Sequence, residues 1–402
     1  MANYDCLVLG GGVIGLSLAY ELACQGRQVG LLERGSIGGE ASWAGAGIFP
    51  PAAAGPHASA EEQLRALSNT LHVQWSRQLL EETGIDNGYR VCGGLYVDRA
   101  SGGTERLTAQ AQQWRSQAIN VELLTPAELA ELEPALAAGR EAGDPVAALC
   151  LRDEAQLRNP RHLKALFSAC VRRGVTVHEA TEAQEFVTRG TRVQAVRTTR
   201  GELAAGSFCL TGGTWSGALA SRLGCRLEIK PIRGQIALLQ TQPGRLHRIV
   251  YEGPHYLVPR PDGRILVGST VEDAGFDKRP TAEAIAGLLA FAVDLVPGLS
   301  TATLERTWAG LRPGTADDLP YLGLLPGYDN AFIAAGHFRS GLQLSTATAV
   351  VIGQLMRGEA ATIDLAAFSP QRTARLNGGG KWQTPPHIRP ADHAQSQPAP
   401  AN

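Results

Sequence analysis

The chain opens with an apolar strand, a glycine-rich turn, a helix and a second apolar strand that ends in an acid. The strand from Tyr4 leads into Gly10-x-Gly12-x-x-Gly15, and Glu33 closes the second strand. In a dinucleotide-binding unit these glycines permit the tight turn, the approach of a pyrophosphate and close helix packing. Amides at the helix N-terminus favour the pyrophosphate, and Glu33 suits a ribose but repels a 2′-phosphate. The pattern predicts an α/β dinucleotide-binding domain; the alternative is a glycine-rich helix start without a ligand.

Composition narrows the class of protein. The chain has 402 residues, enough for two domains with a well-buried core, and a formal net charge of −1. This charge gives no basic surface for nucleic acid, and no apolar run approaches the ~20 residues of a membrane span. No basic region with a cleavage site is visible before the first strand, so a secretory signal is not expected. The seven cysteines form no Cys-x-x-Cys pair, which is typical of reduced thiols in a cytoplasmic protein.

Segments rich in glycine and small residues recur far from the first turn, at 38–48, 212–217 and 336–341. A nicotinamide domain would concentrate such contacts near the first crossover, whereas an extended FAD uses remote loops. No second Gly-x-Gly-x-x-Gly pattern exists, so a separate NAD(P)H domain is not indicated. These segments therefore predict FAD as the cofactor, with Gly212 and Trp215 among its contacts.

Periodicity predicts the remaining elements. The sequence pattern indicates helices over 60–83, 104–132, 159–173 and 281–295, and short strands broken by Pro-Asp-Gly turns indicate an antiparallel sheet over 226–272. From residue 371 the composition collapses to Gly, Pro, Gln, Ala and His, which predicts a disordered tail over 371–402.

The last glycine-rich segment lies between a strand over 331–335 and a helix that begins near Gly341. The positive end of that helix, if it points at the flavin pyrimidine, would stabilise an anionic reduced flavin. The alternative is an ordinary turn between a strand and a helix.

Five segments together resemble the D-amino-acid oxidase family of FAD-dependent oxidoreductases, and within it the glycine oxidase branch of bacterial thiamine biosynthesis. The resemblance covers about residues 4–368. The segments that carry it are Gly10–Gly15 with Glu33, Gly39–Gly47, Tyr256–Arg260, Trp308–Asp317 and Gly336–Leu342.

The resemblance implies three active-site residues. Arg312 takes the position of the arginine that anchors the substrate carboxylate, Tyr256 that of the substrate-pocket tyrosine, and Arg339 that of a second active-site arginine over the flavin loop. Pro254-His255, just before the tyrosine, departs from the side chains expected at that rim.

The resemblance also implies a set of cofactor contacts that extend the glycine turn of Gly10, Gly12 and Gly15. These contacts are Val13, Ile14, Glu33, Arg34, Ala41, Ser42, Ala46, Gly47, Ile48, Val177, His337, Phe338, Arg339, Ser340, Gly341, Leu342 and Gln343. The loop at 336–341 has no cysteine that could carry a covalent flavin. The FAD is therefore expected to be held non-covalently.

The implied fold class is α/β. A Rossmann-like FAD-binding domain of the glutathione-reductase type is expected from 1–85, 146–225 and 305–370. A discontinuous α+β substrate domain with an antiparallel sheet is expected from 86–145 and 226–304.

The expected reaction is FAD-dependent oxidative deamination of glycine, a small amine or a D-amino acid by O₂. An arginine gives a planar fork for a carboxylate, and no protein base is required if the amine is already neutral. One alternative is a flavin dehydrogenase or another amine oxidase that uses a different acceptor or acts on sarcosine or proline. Another is a flavin domain that acts on modified tRNA, which the near-neutral charge disfavours. The sequence does not distinguish a monomer from a homo-oligomer.

Each candidate residue also has an ordinary structural interpretation. Arg312, between Leu311 and Pro313-Gly314, could be a surface arginine in a turn, and Tyr256 a packed strand residue. His337 could cap its loop through a backbone bond. His57 and His255 are expected to be solvated, and so is the turn at Asp317-Asp318. That acidic pair offers too few oxygen ligands for a metal, so no metal site is predicted.

Overall fold

The computed structural model describes residues 3–53, 55, 58–137 and 147–372. The α-helices among them are α1 Val13–Cys24, α2 Ala41–Ala44, α3 Ala60–Thr83, α4 Gly103–Ser116, α5 Pro126–Leu132, α6 Pro134–Ala137, α7 Asn159–Arg172, α8 Ser216–Ser221, α9 Ala282–Leu295 and α10 Gly341–Met356. The strands are β1 Asn3–Leu9, β2 Val29–Leu32, β3 Ile48–Phe49, β4 Arg90–Val91, β5 Gly94–Asp98, β6 Glu122–Leu124, β7 Ala147–Leu151, β8 Ala155–Gln156, β9 Thr176–His178, β10 Ala183–Arg189, β11 Arg192–Thr198, β12 Gly201–Leu210, β13 Lys230–Gln240, β14 Ile249–Glu252, β15 His255–Pro259, β16 Arg264–Gly268, β17 Thr303–Gly314, β18 Tyr321–Leu324 and β19 Ala331–Ala335.

The first sheet is built on parallel strands. Its order is β10-β11-β12-β1-β2-β9, and β19 pairs with both β12 and β18. The pairs β1–β2, β1–β12, β2–β9 and β12–β19 are parallel. Helices α1, α3, α7 and α10 pack on one face of the sheet. The apolar residues of its other face form a second core that includes residues of β10, β11 and α8. Because parallel strands end at one edge, the turns after β1, β2 and β12 meet there.

The second sheet is larger than the sequence pattern alone indicates. Its order is β17-β13-β16-β15-β14-β5-β7-β6, and every pair is antiparallel except β5–β14. Alternation of side chains sends Leu257 and Val267 toward α9, whereas Ile236, Tyr251 and Tyr256 lie on the opposite face. That opposite face is turned toward the first sheet and forms one wall of the site.

The domain division stays a proposal, with two boundaries moved. β7 and β17 were assigned to the FAD-binding domain, but both hydrogen-bond into the second sheet. We therefore propose that the FAD-binding segments run from 152 and from 315. A third, small sheet has the strand order β3-β8-β4.

The predicted helices agree closely with the structure. Helix α3 begins with a capping box in which Ser59 and Glu62 bond reciprocally, and it ends at Gly84 in the left-handed region. In the stretch 104–132, the short strand β6 separates α4 from α5, which the helical prediction missed. None of the described helices is both long and apolar enough to cross a bilayer.

Two expectations about single segments were wrong, and the start of the predicted tail moves by two residues. Arg312 lies inside the long strand β17 and not in a turn, because its neighbours pair with β13. The acidic turn is not simply solvated, since Asp317 forms an ion pair of 2.8 Å with Arg372. Arg372 also shows that order continues past residue 371, and the remainder of the predicted tail, 373–402, lies outside the described residues.

Candidate active site

One long cavity brings together nearly all of the predicted site residues. It runs from the turn after β1, along the loop between β2 and β3, to the inner face of the second sheet. All predicted catalytic and cofactor residues line it except Gly15 and Val177. Gly15 lies in the glycine turn itself, whereas Val177 pairs with Leu31 in the first sheet and packs on the core. The FAD contact predicted for Val177 is therefore not supported by the residues that line the cavity.

The glycine turn has no space for side chains. A Cβ on Gly10, which has φ +128°, would lie 2.5 Å from the carbonyl oxygen of Thr211. A Cβ on Gly15 would overlap the carbonyl oxygen of Gly10. Helix α1 then begins without a cap from its N-cap residue Gly12 and without an acid in its first turn, and its Val13 amide donates to Ser42 Oγ at 2.9 Å. This arrangement leaves the positive end of α1 at the cavity wall, where a pyrophosphate is favoured.

Glu33 is held in one orientation at the end of β2. Its Oε2 accepts the Gly11 amide at 2.8 Å, and its Oε1 accepts the Gly35 amide at 2.8 Å. Each carboxylate oxygen has more than one lone pair, so both can still accept a hydroxyl proton. Beside it, the Arg34 guanidinium stacks 3.7 Å over the Trp215 ring. These groups fit the ribose end of a dinucleotide.

A buried arginine fixes the small-residue loop of residues 41–48. Arg260 donates from Nη2 to the Ala46 carbonyl at 2.7 Å, and from Nη1 to the Leu157 carbonyl at 2.9 Å and Gln156 Oε1 at 2.5 Å. Burial lowers the pKa of Arg260 to about 9. The sequence motif included Arg260, but no role was assigned to it. Its contacts show that it holds the loop that lines the middle of the cavity.

The second helix N-terminus at the cavity belongs to α10. Its N-cap, Ser340, makes no side-chain cap, and the first turn has no acid. Gln343 donates to the Pro50 carbonyl at 2.7 Å and ties α10 to the loop opposite. His337 bonds to Thr348 Oγ1 at 3.1 Å and not to backbone, and burial lowers its pKa to about 3. His337 is therefore neutral. It adds no positive charge beside the N-terminal end of α10, which faces the cavity.

Arg312 lies at the end of the cavity on the second sheet. Its Nη2 donates to Ser269 Oγ at 2.8 Å, and its Nη1 donates to the Thr270 carbonyl at 3.0 Å. Among the described residues it forms no ion pair with a carboxylate, and the acid that acts on it, Glu272, is paired with Arg233. Burial lowers the pKa of Arg312. A half-buried cation without an ion-pair partner among the described residues favours an anionic ligand.

Tyrosines form the wall next to Arg312. Tyr256 lies on the cavity, and the Tyr251 ring meets it edge-on with centroids 6.4 Å apart. Tyr251 also stacks on Tyr96 at 4.4 Å, and both hydroxyls donate to the carboxylate of Glu154. Burial raises the pKa of Glu154 to about 7. No sequence motif predicts this cluster, because Glu154 and Tyr251 are far apart in the chain and stand in no motif.

The remaining predicted residues have defined surroundings. The Arg339 guanidinium lies 5.2 Å over the Phe338 ring, and the Phe338 amide bonds to the Pro313 carbonyl at 3.0 Å. His255 was expected in a solvated loop, but it begins β15 and packs on Phe291 with centroids 5.1 Å apart. His57 lies outside the described residues. No cluster of three potential metal ligands occurs in the part of the chain that the structure describes.

The cavity thus joins two helix N-termini, a carboxylate that suits a ribose, and a loop of small residues. These parts fit a dinucleotide that extends from the first glycine turn toward the second sheet. The half-buried Arg312 guanidinium lies at the far end, where a small anionic ligand would meet the cofactor. The fold and the site define a flavin-dependent oxidoreductase.

Comparison with known proteins supports the assignment to the flavin-dependent oxidoreductases. Residues 5–355 match the family model described as DAO, FAD dependent oxidoreductase. The chain belongs to this family, as the resemblance implied; it is an enzyme of the oxidoreductase class, and FAD is its cofactor.

Individual relatives are similar along nearly the whole chain. Glycine oxidase of Pseudomonas aeruginosa is 37% identical over 366 residues, which cover 90% of this chain and 98% of that protein. The crystal structure of glycine oxidase from Geobacillus kaustophilus superposes with a TM-score of 0.87 at 31% identity, covering 93% of this chain and all of the other. The bifunctional protein ThiO/ThiG of Synechocystis is 32% identical over 92% of this chain, which corresponds to 54% of that protein.

Proposed function

We propose that the enzyme catalyses the oxidative deamination of glycine, with other small amines or D-amino acids as weaker substrates. Glycine, O₂ and water give glyoxylate, ammonia and hydrogen peroxide. One observation carries the proposal: Arg312 is a half-buried guanidinium that forms no ion pair among the described residues and opens on the flavin cavity. The glycine oxidase names of the relatives described above support the same substrate class.

In this proposal Arg312 binds the substrate carboxylate with its planar fork. Ser269 and the Thr270 carbonyl hold the fork on the sheet through bonds of 2.8 and 3.0 Å, so little freedom is lost when the substrate binds. FAD supplies the acceptor for the hydride that leaves the substrate carbon. Tyr256 and Pro254 limit the space for a side chain on that carbon.

The substrate amine must be neutral for its lone pair to assist hydride departure. The nearby candidates for a protein base are few, since His337 is buried against Thr348 with a pKa lowered to about 3. The proposal therefore assigns the chain the task of binding and orienting the substrate, without a proton relay.

Anaerobic reduction followed by air tests this function. The purified yellow protein is mixed without O₂ with glycine, sarcosine, D-alanine, D-proline and D-phenylalanine, and flavin bleaching is followed by stopped flow. We expect glycine to bleach the flavin and D-phenylalanine to be at least 100-fold slower, since one methylene already changes discrimination by ~1–3 kcal/mol. A preference for D-phenylalanine would replace glycine oxidation by a general D-amino-acid oxidase.

Exposure to air separates oxidase from dehydrogenase. For the oxidase, the flavin colour returns at once and hydrogen peroxide appears in amounts equal to glyoxylate. A flavin that stays bleached in air and recovers with a quinone would identify the dehydrogenase alternative instead.

We also propose that the product serves thiazole synthesis in thiamine biosynthesis, in the cytoplasm. The similarity to the bifunctional protein ThiO/ThiG supports this role. Deletion of the gene should impose a requirement for thiazole, which the wild-type gene but not an Arg312→Ala variant restores. Growth without thiazole would contradict the role.

A further inference from the structure

Two glycines on the inner face of the second sheet lie directly under the proposed substrate-binding side chains. Gly234 is in β13, paired with Gly310 of β17, and Gly268 is at the end of β16, paired with Tyr256 of β15. Neither Gly234 nor Gly268 has a positive φ. Left-handed backbone geometry therefore does not explain the absence of side chains at these two positions.

At Gly234, steric overlap with Arg312 explains the absence of a side chain. A Cβ there would lie less than 3.0 Å from the Cζ, Nη1 and Nη2 atoms of Arg312. The guanidinium therefore lies flat on the strand, over Gly234. In this position it bonds to Ser269 and Thr270 on the neighbouring segment. A methyl group at Gly234 would lift the fork off the sheet and break those bonds.

The same relation holds at Gly268. A Cβ there would lie 2.6 Å from both Cζ and the hydroxyl oxygen of Tyr256. The phenol therefore lies across Gly268, next to Ser269, whose hydroxyl accepts from Arg312. The guanidinium and the phenol thus rest side by side on bare backbone, which sets the depth of the pocket between the sheet and the flavin.

We propose that Gly234 and Gly268 are positioning residues for substrate recognition, and that they act through Arg312 and Tyr256 respectively. The inference rests on the proposed function, because it concerns the same carboxylate site. The pocket fits a small amino acid in part because these two positions of the sheet carry no side chain, in addition to the side chains that line it.

The test is a double-mutant cycle on Gly234 and Arg312. Gly234→Ala should keep full FAD content and lower kcat/KM for glycine by roughly 30-fold or more, mainly through KM, as expected when a charged fork is misplaced. In an Arg312→Ala background the same change should have less than a threefold effect, because the group through which Gly234 acts is gone. Equal losses in both backgrounds would indicate a general structural defect and overturn the inference.

Binding of acetate, followed by the shift of the flavin absorption spectrum, gives a readout that needs no turnover. Acetate should perturb the wild-type spectrum and bind at least tenfold more weakly to Gly234→Ala. If no amino acid reduces the wild-type flavin but this difference persists, glycine oxidation fails and the positioning role survives. If glycine is oxidised and Gly234→Ala behaves like wild type, only the positioning role fails.

Two further variants complete the design. Gly287→Ala, in α9 with nothing within 4 Å of the added Cβ, is the matched control and should leave kcat/KM and acetate binding unchanged. If Gly234→Ala does not fold, Gly234→Ala/Arg312→Ala should restore folding and FAD, since it removes the overlapping group; failure to restore them would overturn the inference. The same cycle applies to Gly268. Gly268→Ala should lower kcat/KM for glycine in the wild-type background and should have a much smaller effect in a Tyr256→Ala background.

Discussion

At the scale of single residues, Arg312 is the clearest test of the site. Arg312→Ala removes a charge-assisted fork from a desolvated pocket, a loss of roughly 2–5 kcal/mol in kcat/KM for glycine. FAD content should not change. Arg306→Ala, which alters an exposed arginine on the same strand, is the control and should stay within twofold of wild type. An Arg312→Ala enzyme within threefold of wild type would remove Arg312 as the carboxylate anchor.

Glu154 makes a prediction about stability and pH. Its pKa is raised by burial from 4.5 to about 7, so the folded state binds this proton more tightly than the unfolded state. Its contribution is therefore complete below pH 4.5 and is lost as pH rises through about 7. The loss is on the order of 3 kcal/mol. Glu154→Gln cannot ionise, so its free energy of unfolding should lack this decline.

Urea unfolding at several values between pH 5 and pH 8 measures the effect. Other titrating groups are common to both proteins, so the difference between wild type and Glu154→Gln isolates the carboxyl group. A difference that stays constant over this range would show that Glu154 is not perturbed by its burial between Tyr96 and Tyr251.

At the scale of elements, Arg260 connects β15 with the loop that lines the middle of the cavity. Arg260→Met leaves three buried oxygens, those of Ala46, Leu157 and Gln156, without their donor. Each unsatisfied group costs about 1–3 kcal/mol. The variant should therefore be purified with substoichiometric FAD and bind added FAD at least tenfold more weakly. Arg264→Met, which alters an exposed arginine on β16, should retain its flavin.

The elements also show what the sequence could predict. The predicted helices 60–83, 159–173 and 281–295 agree with α3, α7 and α9 to within a residue, because periodicity, caps and glycine stops are local signals. The family and FAD followed from local glycine motifs in the same way. All the predicted cofactor contacts, Val177 included, and the catalytic roles of Arg312, Tyr256 and Arg339 stay predictions, since geometry alone does not assign a role.

What the sequence did not reveal depends on pairing between distant strands. The parallel pair β5–β14 joins residues near 95 to residues near 250, and it brings Tyr96, Glu154 and Tyr251 together. Arg312 looked like a turn residue because Pro313-Gly314 follows it, yet pairing with β13 keeps the strand extended. Pairing over such separations is set by tertiary packing, which no short sequence window contains.

At the scale of the whole molecule, the cavity has one wall on each large sheet. The glycine turn belongs to the first sheet, whereas Tyr256, Gly310 and Arg312 belong to the second. A ligand that contacts both walls binds only when the sheets are correctly placed, so FAD should stabilise the fold as a unit. Free FAD at a hundred times its Kd should add about 2.7 kcal/mol to the free energy of unfolding.

Thermal unfolding of the apoprotein tests this prediction. The Tm should rise steadily with the logarithm of added FAD. At the same multiple of its own Kd, ADP should give the same shift, but at equal concentration it should give less, because it reaches only the glycine turn and Glu33 and none of the second sheet. An Arg260→Met apoprotein should need more FAD for the same Tm. Equal shifts from ADP and FAD at equal concentrations would show that the second wall contributes nothing to cofactor binding, and that the sheets are joined by protein contacts alone.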